Sequence, residues 1–129
     1  MKLIYVAGPY RASTTWKVEQ NIRHAEEVAA VVNSECNLHA NVAMAVCPHT
    51  MNRFFEGAGP DSLWLPGTME LFRRCDAIIM VRGWEGSSGA QAECAEATRL
   101  EMPVFFADEA GWGPSFSLAW REYMRAQAE

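Results

Sequence analysis

A chain of 129 residues has room for one hydrophobic core, burying about two thirds of its extended surface, and is too short for a two-domain enzyme. Its net charge of −5 argues against general nucleic-acid binding, which needs a basic footprint, so any anionic ligand must be held by local dipoles and a few cations. The four cysteines form no C-x-x-C pair and have no His-x-x-x-His companion, which points to reduced, buried thiols and to neither zinc nor a redox centre. With no apolar run near the ~20 residues of a membrane span and no signal-peptide pattern, the expectation is a cytoplasmic protein without membrane contact.

Leu3 to Ala7 is a β-rich apolar run that stops at Gly8-Pro9 and reads as a central strand. Ser13, Thr14 and Thr15 are possible N-caps for a helix in which Val18, Ile22, Ala25, Ala29 and Val32 recur at helical spacing to about Ser34. Asn37 to Asn41 reads as a loop, and Val42 to Cys47 as a short strand stopped by Pro48, with His49 next. Thr50 to Pro66 is the longest irregular stretch, with a short turn expected at Arg53-Phe54-Phe55; loops of this length are usually functional or disordered. Gly67 to Arg74 reads as a helix with basic residues in its last turn.

Ala77 to Val81 is a continuous apolar run of strand length, followed by a turn punctuated by Gly83, Gly86 and Gly89 and then by alanines at helical density to Leu100. Met102-Pro103 introduces a fourth strand at Val104 to Ala107. Gly111-Trp112-Gly113-Pro114 reads as a break before an amphipathic helix from Phe116 to Arg125, with Trp120, Tyr123 and Met124 on one side. Alternating strands and helices imply a single α/β domain over residues 1–129, a three-layer Rossmann-like or flavodoxin-like fold with a parallel sheet of four to five strands in the order 2-1-3-4(-5). Ligands bind beyond the carboxyl ends of such strands, here Gly8 to Arg11, His49, Gly83 to Ser88 and Asp108.

Glu93 is out of place on the helix after Gly89. It shares a face with Gly89, Ala90, Ala97 and Leu100, the small apolar stripe that should pack on the sheet, and it lies beyond the reach of a capping box opened by Ser88. Two readings are open: a partly buried carboxylate paired with an arginine, or a carboxylate in a cleft with small neighbours leaving room for a substrate. Gly86-Ser87-Ser88-Gly89 opens the same helix, so its free N–H groups and dipole form an anion site; simple N-capping would account for only one serine. No P-loop or dinucleotide fingerprint is present.

Leu-Ile-Tyr-Val-Ala-Gly-Pro at the start, Cys-Asp-Ala-Ile-Ile-Met-Val, and the Ser-Gly-x-x-x-Glu helix together resemble the nucleoside 2-deoxyribosyltransferase superfamily. The likeness extends to its 2′-deoxynucleoside 5′-phosphate N-hydrolase branch and to small bacterial and phage relatives. It implies cleavage of an N-glycosidic bond of a nucleotide or nucleoside, with Glu93 as the catalytic nucleophile, Tyr5 hydrogen-bonded to it, no cofactor or metal, and a homodimer or larger homo-oligomer. Ser87 stands where the transferases carry an aspartate, as in the phosphate-binding hydrolases, and a further acid of the superfamily falls on Thr68, with Glu70 the nearest carboxylate. Around Glu93 and Tyr5, the expected substrate-binding residues are Gly8, Arg11, His49, Gly83, Trp84, Ser87, Ser88 and Gly89. Arg11 can neutralise a phosphate or be a solvated loop residue; Trp84 can sandwich a base or cover the core; His49 can touch the sugar or simply end a strand. Base-exchanging transfer, and nucleotide binding without turnover, are the alternative functions.

Overall fold

The computed structural model describes residues 1–38, 43–53, 58–107 and 111–128. Strands β1 (Lys2–Ala7), β2 (Ala43–Val46), β3 (Ala77–Val81) and β4 (Val104–Ala107) form one all-parallel sheet in the order β2-β1-β3-β4, the arrangement expected from the alternation of elements. The two central strands, β1 and β3, carry the fully apolar runs because parallel strands inside a three-layer fold are buried on both faces.

The pleat divides the core into two halves. Ile4, Val6, Ile79, Val81 and Phe105 point to one face, covered by helices α1 (Thr15–Leu38) and α5 (Trp112–Ala128). Tyr5, Ala7, Ile78 and Met80 point to the other, covered by α3 (Asp61–Arg73) and α4 (Ser88–Arg99). Asp76 locks the start of β3 to β1: its carboxylate accepts from Leu3 N at 2.8 Å, and its own N–H donates to Leu3 O at 2.8 Å.

Several boundaries differ from the sequence reading, each for a physical reason. α1 runs a turn further, to Leu38, with Cys36 fully buried in its last part; Thr14 caps its start, accepting from Lys17 N at 3.1 Å. Pro48 ends β2 as expected, but it also opens a one-turn helix, α2 (Pro48–Met51), because a proline fits the first helical position, where no N–H is needed. α3 begins at Asp61, six residues before Gly67, and carries Pro66 inside it. That proline lies early in the helix on an exposed face, so it removes one intrahelical bond and its ring faces water. α5 starts at Trp112, taking Gly113 and Pro114 into its first turn, where N–H groups lack helical partners anyway. The expected turn at Arg53-Phe54-Phe55, the strand start at Val42 and the site residue Asp108 involve residues outside the described ones.

The apolar side of α5 is Trp120, Tyr123 and Met124, as the pattern implied, but Phe116 and Trp120 are seated in the core against Phe105. On the same helix Leu118 is exposed and Tyr123 and Met124 are half-buried. Three cysteines, Cys36, Cys47 and Cys75, are buried and free; Cys94 is half-buried and free. Among the described residues, no helix is long and apolar enough to cross a membrane.

The close approach of β1 and β3 explains Gly8. A Cβ there would lie 2.6 Å from Val81 Cβ, on a buried strand end that cannot give way. Gly8→Ala should therefore lower stability by roughly 1–3 kcal/mol through overpacking, seen as a lower urea midpoint at an unchanged slope. An unchanged midpoint would mean the strands do not approach this closely.

Candidate active site

Beyond the carboxyl ends of β1 and β2 lies a cleft of about 680 Å³, within the range of small-molecule sites. Of the residues expected to form a site, Tyr5, Gly8, Arg11, His49, Ser87, Ser88, Gly89 and Glu93 all line it. Gly83 and Trp84 do not. Gly83 takes a left-handed conformation, φ 92°, and leads into a short 3-10 turn, Trp84–Gly86, which points the indole away from the cleft. Trp84 packs instead on Phe106, ring centres 6.0 Å apart, so its role is to cover the sheet.

Helix α4 places Glu93. Ala90 and Ala97, one turn before and one after it, are buried on the sheet, so the carboxylate on the same stripe is carried inward. It finds no arginine there. The carboxylate is hydrogen-bonded by the Tyr5 hydroxyl, and its Oε2 is buried with no protein partner. Desolvation raises its pKa to about 7, with the Tyr5 hydrogen bond pulling the other way. Tyr5 itself is fixed on the buried face of β1 by an edge-on contact with Phe72, ring centres 5.3 Å apart. Burial and the neighbouring Glu93 charge push its phenol well above the usual tyrosine range, so it remains a neutral donor. Thr68, on α3, faces the phenol, its own hydroxyl donating to Leu65 O at 3.2 Å.

The amino end of α4 forms the adjoining wall. Ser87 is the N-cap, its Oγ accepting from Ala90 N at 3.3 Å, and Ser88 and Gly89 are the first helical residues. Gln91 does not close a capping box; its amide reaches back to Glu85 O and ties down the preceding 3-10 turn. Nothing lies within 4 Å of where a Cβ on Gly86 or Gly89 would sit, so the backbone here is open to a ligand.

The β1–α1 loop forms the third side and is held by its carbonyls. Pro9 O accepts from His49 Nε2 at 2.9 Å, and Tyr10 O accepts from the buried Asn21 amide at 3.1 Å. His49 is thus a clamp as well as a wall: burial lowers its pKa, and with its proton on Nε2 its buried Nδ1 has no hydrogen-bond partner. Arg11 stands at the exposed end of this loop.

Of the fourth side, the sequence reading named only Thr68. Trp64, Leu65 and Thr68 of α3, with Gly59 before it and Asn52 after α2, line the cleft opposite α4. Trp64 Nε1 donates to Gly59 O at 2.9 Å, which orients the indole. The available signal was the four-residue spacing Trp64, Thr68, Phe72, one helical face leading from the cleft to the core. Among the described residues no three His, Cys, Asp or Glu side chains gather as a metal ion would need.

No curated protein matches the chain. A family model does, over residues 2–106, a span that runs from β1 into β4, takes in all four sides of the cleft and leaves α5 outside. The chain accordingly belongs to the family described as Domain of unknown function (DUF4406).

Proposed function

We propose that this protein cleaves the N-glycosidic bond of a nucleoside 5′-monophosphate, with Glu93 as the nucleophile. The observation that carries this reading is Glu93 itself: a carboxylate inside a cleft, paired with a neutral tyrosine donor and with no cation, its pKa moved to about 7. A structural ion pair would hold that pKa down; a carboxylate buried in a cleft with no cation beside it is a functional candidate, and in its ionised form it can attack an anomeric carbon. The likeness of β1 and α4 to the nucleoside 2-deoxyribosyltransferase superfamily supports the same assignment.

In this mechanism the sugar lies over Glu93, the 5′-phosphate meets the α4 amino end at Ser87, Ser88 and Gly89, and Arg11 adds positive charge at the cleft edge. One carboxylate oxygen attacks the anomeric carbon as the C–N bond breaks. Water then releases the sugar from the glutamyl ester. Tyr5 keeps the carboxylate in place and its hydroxyl contact weakens as charge leaves the oxygen. Gly8 and His49 act on the loop and strand ends that shape the site.

A panel of nucleotides and nucleosides, followed by chromatography of free base, tests the reading; no base release from any member, by wild-type protein at high concentration, would sink it. Binding without turnover is the second reading, favoured by Thr68, a hydroxyl facing Tyr5 where an acid would assist the departing base. Base exchange needs the same first step and differs in the acceptor, so adding a second free base to the panel separates transfer from hydrolysis.

The proposal includes a homodimer in the cytoplasm. Trp16, Met51, Leu63 and Leu65, carried on segments that follow β1 and β2 or open α3, and Leu118 of α5 are all more than half exposed. Light scattering at micromolar concentration should give twice the monomer mass, and a monomer would refute the assembly without touching the chemistry.

A further inference from the structure

The cleft has two unlike walls. One is the amino end of α4 with Ser87, Ser88 and Gly89; the other is α3, which contributes Trp64 and Leu65. Trp64 is half-buried, and the edge of its indole that carries the N–H is already committed, Nε1 donating to Gly59 O at 2.9 Å. Gly59 packs closely on that same edge, since a Cβ there would lie 3.4 Å from Trp64 Cζ2 and 3.6 Å from Cε2. An indole tied back by its polar edge meets the cleft with its carbon surface, so what Trp64 offers a ligand is a flat π face.

The place of that face relative to Glu93 follows from α3. Trp64 lies four residues before Thr68 on the same side of the helix, one turn and ~6 Å of rise away. Thr68 faces the Tyr5 hydroxyl, which is in turn hydrogen-bonded to Glu93. The indole therefore stands one helical turn beyond the Tyr5–Glu93 pair, towards the amino end of α3. A base of two fused rings, bonded to a carbon held over Glu93, extends through about that length and brings its outer ring to the indole. A single ring ends nearer the sugar.

We propose that Trp64 is a specificity-determining residue of this cleft, stacking on the face of a fused two-ring base and so selecting purine over pyrimidine nucleotides. This specificity rests on the N-glycosidase reading above. Stacking of a base on an aromatic side chain contributes roughly ten- to a hundredfold in affinity and grows with the area of overlap, which a purine supplies more fully. Gly59 is the positioning residue: it accepts the indole N–H and, having no side chain, lets the ring lie against its backbone. The contact is made alike before and during bond breaking, so it belongs to KM more than to kcat.

Kinetics with purine and pyrimidine 5′-monophosphates of the same sugar test this, together with free bases added to the wild type. Purine nucleotides should be cleaved with kcat/KM about tenfold higher. Trp64→Leu should remove that preference by raising KM for purine nucleotides about tenfold at nearly constant kcat, with pyrimidine nucleotides changed by less than about twofold; Trp64→Phe should fall between. Adenine should quench part of the wild-type tryptophan emission and cytosine much less, a comparison that needs neither turnover nor a variant. A loss shared equally by both nucleotide classes in Trp64→Leu makes Trp64 a support of α3 and overturns the proposal. So does a purine preference that survives in Trp64→Leu and vanishes in Tyr10→Leu, Tyr10 being another aromatic ring on the cleft. Pyrimidine nucleotides cleaved as fast as purine ones overturn the purine class and leave the N-glycosidase reading standing. Absence of base release from every nucleotide overturns that reading instead, and equal or absent quenching by the two bases then overturns the stacking seat as well.

Discussion

Glu93→Gln should abolish base release, by about 10³-fold or more, and at the same time make the protein more stable at pH 8. The loss follows from removing the nucleophile while keeping its shape. The gain follows from linkage. The Glu93 pKa is raised from 4.5 to about 7 in the folded protein, so the folded state holds its proton more tightly than the unfolded chain does. That favourable contribution is complete below pH 4.5 and is lost as pH rises through 7, leaving a desolvated charge. The shift corresponds to roughly 3 kcal/mol at most, and partial access to solvent reduces it, so about 1–3 kcal/mol should be recovered by the neutral amide above pH 8. Urea unfolding of both proteins at pH 8 and pH 4 reads the effect directly: the difference should be present at the first and shrink at the second.

The same ionisation predicts the pH profile. If the carboxylate must be charged to attack, kcat/KM rises with pH through about 7 and then levels. A variant less stable than wild type at pH 8, with activity retained, would return Glu93 to a structural role. Stability gained on removing a charge is the expected signature of a group kept for chemistry.

Ser87→Asp should separate phosphate recognition from sugar recognition. Aspartate is as good an N-cap as serine, so the bond now made by Ala90 N to Ser87 Oγ survives and the helix keeps its start. What changes is charge. A carboxylate at this point of the cleft would face the proposed 5′-phosphate, and like charges a few ångströms apart in a partly desolvated site cost on the order of 2–3 kcal/mol. Calorimetry with one matched pair should show the wild type preferring the monophosphate over its nucleoside, with inorganic phosphate competing. In the variant the monophosphate should weaken by roughly a hundredfold, and the nucleoside should be spared. Equal affinity of the wild type for both ligands would take the phosphate out of the proposed substrate and leave base exchange on a nucleoside as the reading to pursue.

Much of this molecule is decided by local pattern. The four apolar runs became four strands because strand-length stretches of Ile, Val, Phe and Met bounded by Gly, Pro or Asp have few other ways to be buried. Their alternation with helices determined a parallel sheet, and the period of the α4 stripe put Glu93 on the inward face before any contact was known. The N-terminal turn of α4 was legible for the same reason: glycines and serines act on their own backbone within a few residues.

What local pattern could not decide is which distant segments meet around Glu93. Pro66 reads as a helix stop, yet α3 passes through it because Phe72 is buried on the sheet and the helix gains more from that packing than it loses in one hydrogen bond. Only with α3 extended back to Asp61 does Trp64 join Thr68 at the cleft, and only then is the wall opposite the amino end of α4 seen to be aromatic. Trp84 went the other way: a left-handed Gly83 and a 3-10 turn set its direction, and Phe106, more than twenty residues on, supplied the surface it covers. His49 follows the same logic, since a strand-end histidine became a clamp only because β1 and β2 are neighbours and bring Pro9 O within 2.9 Å of its ring. Sequence by itself determined the elements, their order and the carboxylate; tertiary packing decided the pocket, because a cleft is made of side chains from segments whose proximity no local period encodes.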